Sequence, residues 1–321
     1  MRLQSLAMTF GLVAIAAGIE THGSPPVDFE VRLLGSSEPL TTPIKDSYEI
    51  DAACIAYDRI KSTDLGKQCA VPSDKNLADK RNAVYALKDC IIEKSDDERI
   101  FFDLLSKDIK NADKFWSKVV KESDKNLASW IAARANVKAY YGSTLTAIQF
   151  AGWTLSPFAD AANLHGNPEH YYKSTPSNAT DTHSEILEGW GGVTSKIGMQ
   201  RTHFNVPSYA IPSFNNIQYP ASWDQGPQFL LPLQRAGLKQ LMDGTTFGVL
   251  HIAVRDLSAA EVAEAGKAGI EIYSAVWYPA WEGASRKDRE EFGRFLQDEA
   301  EHMVVEIVNL TLQARKDLSP K

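Results

Sequence analysis

The first half of the chain carries hydrophobic residues at the spacing of amphipathic helices. Val84, Leu87 and Ile91 recur every three or four positions, which places them on one stripe of a helix. Similar spacing predicts further helices over Ile100–Val119 and Ser123–Ala139. Because amphipathic helices need an apolar surface to cover, we expect them to pack against the second half of the chain.

The second half is rich in runs of β-branched and aromatic residues, which are typical of strands. Four runs are predicted as strands: Thr202–Ala210, Thr245–Asp256, Ile270–Tyr278 and Met303–Leu312. Two segments are predicted to be helical: Ser184–Val193, before the first run, and Arg286–Glu301, between the third and fourth runs. Helices first and strands last indicate an α+β fold, in which a helical N-terminal half packs on a curved antiparallel sheet.

Side-chain alternation divides the two central strand runs into an apolar face and a mixed face. Because successive side chains of a strand point to opposite sides, Leu250, Ile252 and Val254 share the apolar face of their run. The mixed face of the two runs carries His251, Arg255, Glu271, Tyr273 and Trp277. Such a face is unlike a simple solvated surface and indicates that the sheet lines a pocket on that side.

Composition and charge exclude several classes of function. The chain has 321 residues, 44% of them hydrophobic and 23% charged, with a formal net charge of −7. A mildly acidic protein of this kind is a poor candidate for nucleic-acid binding, which needs concentrated Lys and Arg. The sequence contains no G-x-S-x-G elbow, Gly-rich phosphate loop or dinucleotide fingerprint. We therefore expect no cofactor.

The N-terminus has the pattern of a signal peptide. Met1 and Arg2 precede an uncharged run from Leu3 to Gly18, and Ala14-Ile15-Ala16 offers small residues for cleavage. The alternative is an uncleaved anchor, although the run is short for a membrane span, and no later segment approaches about 20 apolar residues. We predict a signal peptide over 1–18, a flexible lead-in rich in Ser, Thr, Pro and Gly over 19–45, and secretion or an endomembrane lumen.

Cysteines and glycosylation sequons agree with that compartment. Cys54, Cys69 and Cys90 allow three alternative disulfides, and the sequence does not choose among them. Sequons occur at Asn178 and Asn309. Asn178 lies in a polar loop and Asn309 in a predicted strand, so Asn178 is the preferred glycan acceptor of this predicted glycoprotein.

The histidines do not form a recognisable metal motif. His165, His170 and His183 are close in sequence, but their spacings of 5 and 13 do not match a helical i, i+4 pair. Without a C-x-x-C pair either, no metal site is predicted. The interpretation preferred for His183 is a cap of the helix that follows it.

Three features resemble the ketosteroid-isomerase-like (NTF2-like) superfamily, whose fold is an α+β cone. They are Asn167-Pro-Glu-His-Tyr-Tyr closing a helical region, the predicted helix Glu185–Trp190, and the later long strands. The resemblance covers an NTF2-like domain over 126–317 and leaves a helical extension over 46–125 unexplained.

A secreted, helix-extended version of this fold is similar to the ketosteroid-isomerase-like cyclases of fungal maleidride biosynthesis. The resemblance implies a secondary-metabolism enzyme that joins two maleic-anhydride units through proton abstraction and C–C bond formation. A small carbonyl or anhydride compound is then the expected substrate, and no catalytic residue is carried over from the family. A homo-oligomer and an assembly with a partner cyclase both remain open.

Proton abstraction next to a carbonyl needs a base and donors that hold the developing enolate. On the mixed face, His251 is the candidate general base and Arg255 the candidate clamp for an anhydride or carboxylate. Glu271 and Tyr273 are candidates for a second acid/base and an oxyanion donor. The alternative is a cross-strand network that only completes the fold.

Residues near the expected mouth of the cone are candidates for substrate binding. His170, Tyr171 and Tyr172 precede the first sequon loop, and the two hydroxyls could orient a ligand or simply pack at the surface. Trp277 is the fourth candidate, although core packing is the stronger interpretation for it and for Trp190. The competing function is a secreted, non-catalytic protein that binds a small molecule or a partner.

Overall fold

A computed structural model describes residues 28–33, 42–69, 80–142, 145–175, 183–189, 199–205 and 233–318. The predicted signal peptide over 1–18, the sequon residue Asn178 and Trp190 lie outside these residues. In the described part of the chain, no helix combines the length and the apolar character needed to cross a bilayer.

One antiparallel sheet organises the described residues. Its strands are β1 (Asp28–Leu33), β2 (Ile131–Tyr140), β3 (His170–Ser174), β4 (His183–Gly189), β5 (Met199–Asn205), β6 (Leu233–Gln240), β7 (Thr246–Asp256) and β8 (Gly269–Tyr278). They lie in the order β1-β2-β8-β7-β6-β5-β4-β3, and every neighbouring pair is antiparallel. With the helices, this arrangement confirms the α+β class.

Helices precede, interrupt and follow the sheet. They are α1 (Thr42–Lys61), α2 (Asp64–Gln68), α3 (Lys80–Ser95), α4 (Ile100–Leu104), α5 (Ser106–Glu122), α6 (Ala147–Thr154), α7 (Asp160–Gly166), α8 (Ala259–Ala265) and α9 (Arg286–Leu318). The long helix α9 packs on β2 and also contacts α1, α6 and α7. It therefore covers one face of the sheet, which we call the α9 face.

The main hydrophobic core lies between the α9 face and the helices. Ala133, Val137 and other alternate residues of β2 pack there with the apolar side of α9. Trp116 of α5 stacks on Tyr278 of β8, with ring centroids 5.0 Å apart. The predicted packing of the N-terminal helices on the second half is thus confirmed for α5.

A second core joins the other N-terminal helices to the β3–β4 end of the sheet. The stripe predicted on α3 is buried there, together with Tyr57 of α1 and Phe101 of α4. A disulfide links Cys69 to Cys90, so the structure selects one of the three pairings and leaves Cys54 as a free thiol. The helices of the 46–125 extension are therefore divided between two cores.

Three predicted elements are wrong because tertiary contacts outweigh local preference. Met303–Leu312 is part of α9, where residues such as Met303 and Ile307 are buried four positions apart, as a helix requires. The predicted helix Ser184–Val193 overlaps β4 up to Gly189, and β4 pairs with strands on both sides; the remainder of the prediction lies outside the described residues. The predicted helix Ser123–Ala139 contains most of β2, whose small residues are buried at every second position from Ala133 onward.

Other predictions agree with the structure or need adjustment. The runs Thr245–Asp256 and Ile270–Tyr278 are confirmed as β7 and β8, and the turn before β7 has Gly244 at φ +86°. Thr202–Ala210 overlaps β5 up to Asn205, and the remainder lies outside the described residues. The predicted flexible lead-in contains β1, which pairs along its full length with β2.

Candidate functional site

Ionisable side chains meet inside the protein on the α9 face. Glu188 of β4, Lys239 of β6 and Glu299 of α9 are each at most 4% exposed, and Tyr278 of β8 is fully buried. We call these four residues the buried cluster. Burying charges is costly unless they are paired and hydrogen-bonded, so such a group is a candidate functional site.

Contacts within the buried cluster converge on the ammonium group of Lys239. Its Nζ lies 2.9 Å from Oε1 of Glu188 and 3.8 Å from Oε1 of Glu299. It also lies 3.5 Å from the hydroxyl oxygen of Tyr278, which donates its own proton to Oε1 of Glu299 at 3.1 Å. Among the described residues, Oε2 of Glu299 has no hydrogen-bond partner although it is buried.

The environment raises the pKa of the Glu299 carboxyl. Burial is the largest cause, the nearby carboxylates of Glu188 and Glu306 add to it, and Lys239 and the Tyr278 hydroxyl oppose it, so that the pKa is raised to about 7. Burial alone would lower the pKa of Lys239, but Glu188 and Glu299 raise it above the usual value. The cluster thus combines a stable cation with a carboxyl group that exchanges its proton near neutral pH.

Local packing fixes the positions of Lys239 and Tyr278. The two residues flank Gly248 across the sheet, and a Cβ atom at Gly248 would lie 3.2 Å from the Tyr278 ring and 3.3 Å from Lys239 carbons. Stacking on Trp116 holds the opposite side of the same ring. The glycine therefore lets the lysine stem and the phenol ring lie side by side.

Two histidines lie next to the buried cluster. Nε2 of His170 on β3 lies 3.0 Å from Nε2 of His302 on α9, and 3.7 Å from Oε2 of Glu188. Burial lowers the pKa of His170 to about 4. Burial also lowers the pKa of His302, and the nearby His170 and Lys239 lower it further. Both rings are therefore neutral at pH 7.

Hydrogen bonds assign the tautomers of both neutral rings. Nδ1 of His170 faces the carbonyl oxygen of Asn163 at 3.0 Å, so this nitrogen carries the proton and Nε2 is an acceptor. The Asn167 amide is oriented by the Glu169 N–H, which donates to Oδ1, so that Nδ2 donates to Nδ1 of His302. His302 consequently carries its proton on Nε2 and donates it to His170.

Glu306 lies one helical turn beyond His302 on α9. Its Oε1 accepts a 2.7 Å hydrogen bond from Nδ2 of Asn163, the residue whose carbonyl group also orients His170. Burial raises the pKa of Glu306. Donor atoms of His170, His302 and Glu306 all lie within 4.8 Å of one another.

A buried lysine nearby has a structural role. Nζ of Lys88 on α3 donates to the carbonyl oxygens of Leu164 and His170 at 2.8 Å and contacts that of Pro168 at 3.4 Å. Burial lowers its pKa to about 7. Lys88 thus connects α3 by hydrogen bonds to the segment between α7 and β3, which carries Asn167 and His170.

The predicted catalytic residues lie on the opposite face of the sheet. Strand register places His251 opposite Ala275 and Arg255 opposite Glu271, so these residues share one face, and that shared face is what the alternation indicated. Nε2 of His251 lies 2.9 Å from the side-chain oxygen of Gln234. Burial lowers the pKa of His251 to about 4, so the ring is neutral at pH 7. The shared face is therefore a correct prediction, whereas a catalytic role for these residues stays a prediction.

Arg255 is engaged by carboxylates of the protein itself. Its guanidinium donates to both oxygens of Glu261 on α8, at 2.6 and 2.7 Å, and also pairs with Glu271. Tyr273, on the same face, has a pKa raised first by burial and then by Glu271. The predicted clamp and its neighbours form the cross-strand network that was the structural alternative.

The four predicted substrate-binding residues do not come together. His170 faces the histidine pair, whereas Tyr171 and Tyr172 lie in the second core. The register of β3 shifts between His170 and Tyr172, which explains why the two neighbouring tyrosines enter the same core. Trp277 lies in a small separate cluster with Trp130 on the mixed face.

Three further predictions concern single polar residues. His183 begins a strand, so it has no helix to cap. His165 is half-exposed and contacts Asp89, apart from the histidine pair. The side-chain amide of Asn309 donates to Glu49 and to the Gly166 carbonyl oxygen, so a glycan there would have to displace both contacts.

Sequence reasoning did not identify most of the residues in this site. Lys239 and Glu188 lie in strands that the pattern did not reveal as strands. Glu299, His302 and Glu306 follow the spacing i, i+3 and i+7, which puts all three on one side of a helix. That spacing was the available signal, but interpreting Met303–Leu312 as a strand concealed it.

Comparison with known proteins adds no relative: no protein-family model matches this chain, and no curated protein is significantly similar to it.

Proposed function

We propose that this protein is an acid–base enzyme that removes a proton next to a carbonyl group of an anionic small molecule. The observation that carries the proposal is the environment of the Glu299 carboxyl group. This group is buried, Tyr278 and Lys239 contact one of its oxygens, and the other oxygen has no hydrogen-bond partner among the described residues. This arrangement suits a general base whose free oxygen accepts a proton from a substrate.

The neighbouring groups supply the other requirements of enolate chemistry. A base is most effective when its pKa is near the working pH, and the pKa of Glu299 is raised to about 7. Removing the proton creates negative charge on the substrate oxygen, which needs a fixed positive group or donor. The Lys239 ammonium and the Tyr278 hydroxyl are the assigned donors, because both lie beside the carboxyl group.

The sequence resemblance supports the same class of reaction. Isomerases and cyclases of the ketosteroid-isomerase-like kind abstract a proton inside an NTF2-like cone, and we propose this finer fold for the α9 face and the sheet. Within that class, the resemblance favours cyclisation of maleic-anhydride units in fungal secondary metabolism, in a secreted or lumenal enzyme. The cation of Lys239 is suited to such an anionic substrate.

A second candidate function is binding of a small molecule or a partner without turnover. It is favoured by exposed apolar side chains on α6 and the turn that follows it. Ile148 is 63% exposed and Phe158 is 83% exposed, which is unusual for large apolar residues that lie close together in sequence. A binding protein would not need Glu299 as a base, so one experiment separates the two functions.

The test is hydrogen exchange between substrate carbon and solvent. The folded protein is incubated in D₂O with alkyl-substituted maleic acids and their anhydrides. Their acidic proton lies on the alkyl CH₂ group, which is conjugated to the carbonyl through the double bond, and loss of that proton signal is followed by NMR. We expect exchange with the unmodified protein. In Glu299→Gln the exchange rate should fall by roughly 100-fold or more, since general-base catalysis contributes about 10²–10⁴-fold.

Two sets of variants serve as controls. Glu290→Gln makes the same chemical change on an exposed turn of α9 and should leave exchange unchanged. His251→Ala and Arg255→Ala test the mixed face, and a loss of exchange there with full exchange in Glu299→Gln would move catalysis to that face. Absence of exchange with every compound would leave the binding function as the better proposal.

A further inference from the structure

We propose that His170, His302 and Glu306 form a binding site for one divalent transition-metal ion. The inference goes beyond the proposed function, which uses no metal, and it is tested with metal alone. Two imidazole nitrogens and a carboxylate oxygen within 4.8 Å of one another are the donor set typical of Zn²⁺, Fe²⁺, Mn²⁺ and Co²⁺ sites.

The distance between the two rings suits coordination of one ion. The two Nε2 atoms are 3.0 Å apart. With metal–nitrogen bonds of about 2.05 Å, that distance corresponds to an angle of about 94° at the metal. An angle near 90° is typical of two neighbouring ligands in an octahedral site, as in the arrangement of two histidines and one carboxylate on one face of the ion. Tetrahedral Zn²⁺, with an angle near 109°, needs the two nitrogens about 3.3 Å apart, so a shift of a few tenths of an ångström admits it as well.

Each proposed ligand also has a partner that would hold it in place. Metal-bound histidines usually donate their other N–H group to a carbonyl or carboxylate oxygen. Nδ1–H of His170 already donates to the Asn163 carbonyl oxygen, and the Asn163 amide donates to Glu306. One residue therefore orients two of the three ligands.

His302 needs one proton to move before it can bind metal. In the metal-free tautomer its Nε2–H donates to His170, so the metal would replace that hydrogen bond. The proton would then reside on Nδ1, and Oε2 of Glu169, now 3.7 Å away, would have to move closer to accept a hydrogen bond from it. The Asn167 amide retains its second contact, to the carbonyl oxygen of His302 at 3.3 Å.

The surrounding charges can accommodate a dication. Glu188 lies 3.7 Å from Nε2 of His170, beside the proposed ion. Lys239 opposes a metal ion, but its charge is paired with Glu188 at 2.9 Å. A cation at this position would thus compensate carboxyl groups that are buried among neutral rings.

The experiment measures metal binding to the full chain without a polyhistidine tag. After treatment with chelator and dialysis, the protein is titrated with Co²⁺, whose visible absorption reports its ligands, and bound metal is counted by mass spectrometry. We expect one ion per chain with a nitrogen and oxygen spectrum. A thiolate band in the near ultraviolet would assign the ion to Cys54 instead and overturn the proposal.

Matched variants locate the ion. Glu306→Gln keeps an oxygen for the Asn163 hydrogen bond but weakens the ligand, so affinity should fall at least ten-fold, and His302→Gln should abolish binding. His165→Gln and Glu301→Gln change residues outside the three ligands and should bind as the unmodified chain does. If His302→Gln does not fold, the metal affinities of Glu306→Gln and Glu301→Gln are compared, and weaker binding by Glu306→Gln alone supports the site. Absence of stoichiometric binding, or equal binding in all variants, would refute the site.

Discussion

The carboxyl group of Glu299 makes the stability of the folded chain depend on pH, and Glu299→Gln removes that dependence. Glutamine has nearly the same size and keeps an oxygen that accepts the Tyr278 hydroxyl proton. It cannot ionise. The substitution therefore tests the electrostatic state of this position without requiring a substrate.

The magnitude follows from the change in pKa. The pKa of Glu299 rises from 4.5 in the unfolded chain to about 7 in the folded protein. Each unit corresponds to about 1.4 kcal/mol, so ionising the buried group costs about 3 kcal/mol of stability. Between these two pKa values the folded chain holds a proton that the unfolded chain has released. The contribution of Glu299 to stability is therefore greatest at low pH and is lost as pH rises to 7.

Burial and the charged neighbours together determine the size and sign of this effect. Lys239 favours the ionised carboxyl, whereas burial, Glu188 and Glu306 favour the protonated form and dominate. The difference in unfolding free energy between Glu299→Gln and the unmodified protein should accordingly shift by about 3 kcal/mol in favour of glutamine between pH 4.5 and pH 8. Other ionisable groups titrate alike in both proteins, so their contributions to the unfolding free energy cancel in this difference.

The assay is urea unfolding at several pH values, followed by tryptophan fluorescence and circular dichroism. Trp116, one of the seven tryptophans of the chain, stacks on Tyr278, so part of the emission comes from the core beside the cluster. Coincident curves from the two probes would justify a two-state free energy. Glu290→Gln, at an exposed position of α9, should show no comparable shift. A difference that is constant with pH would mean that the ion pair with Lys239 balances burial, and a difference that favours glutamate at high pH would mean that the ion pair dominates. Either result would refute the reasoning.

Two further predictions concern stability. Gly248→Ala places a Cβ atom 3.2 Å from the Tyr278 ring, so the crowded neighbours must shift and unfolding free energy should fall by about 1–3 kcal/mol; an unchanged value in urea unfolding would contradict this packing. Replacing Cys69 and Cys90 by serine removes a link across 21 residues and should cost about 3 kcal/mol, whereas Cys54→Ser should have little effect; equal unfolding midpoints with and without the disulfide would contradict the prediction.

The hydrophobic pattern was sufficient to predict an element where its residues bury one consistent side. The stripe of α3 and the strands β7 and β8 were predicted because each buries one consistent side, which leaves a clear period in the sequence. The alternation also predicted that His251 and Arg255 share a face with Glu271. The alternation could not show that the Arg255 guanidinium donates to Glu261 of α8, since that contact depends on where α8 packs relative to β7.

Local pattern failed where distant contacts decide the conformation. The β-branched residues after His302 prefer strands in isolation, but packing on β2 holds them in a helix. The alanine-rich segment Ile131–Tyr140 has helical composition, yet β1 and β8 supply partners for both of its edges. In each case burial against a partner far along the chain outweighs the intrinsic preference of the residues.

By itself, the sequence determined the α+β class, the position of two central strands and the identity of their mixed face. Only the tertiary structure brought Glu188, Lys239 and Glu299 together, and with them His170 and His302. The physical reason is that a carboxyl group acquires a raised pKa from the low dielectric and the charges around it. For Glu299, the charged and hydrogen-bonding groups come from the three strands β4, β6 and β8 and from α9 itself, and no local stretch of sequence contains them.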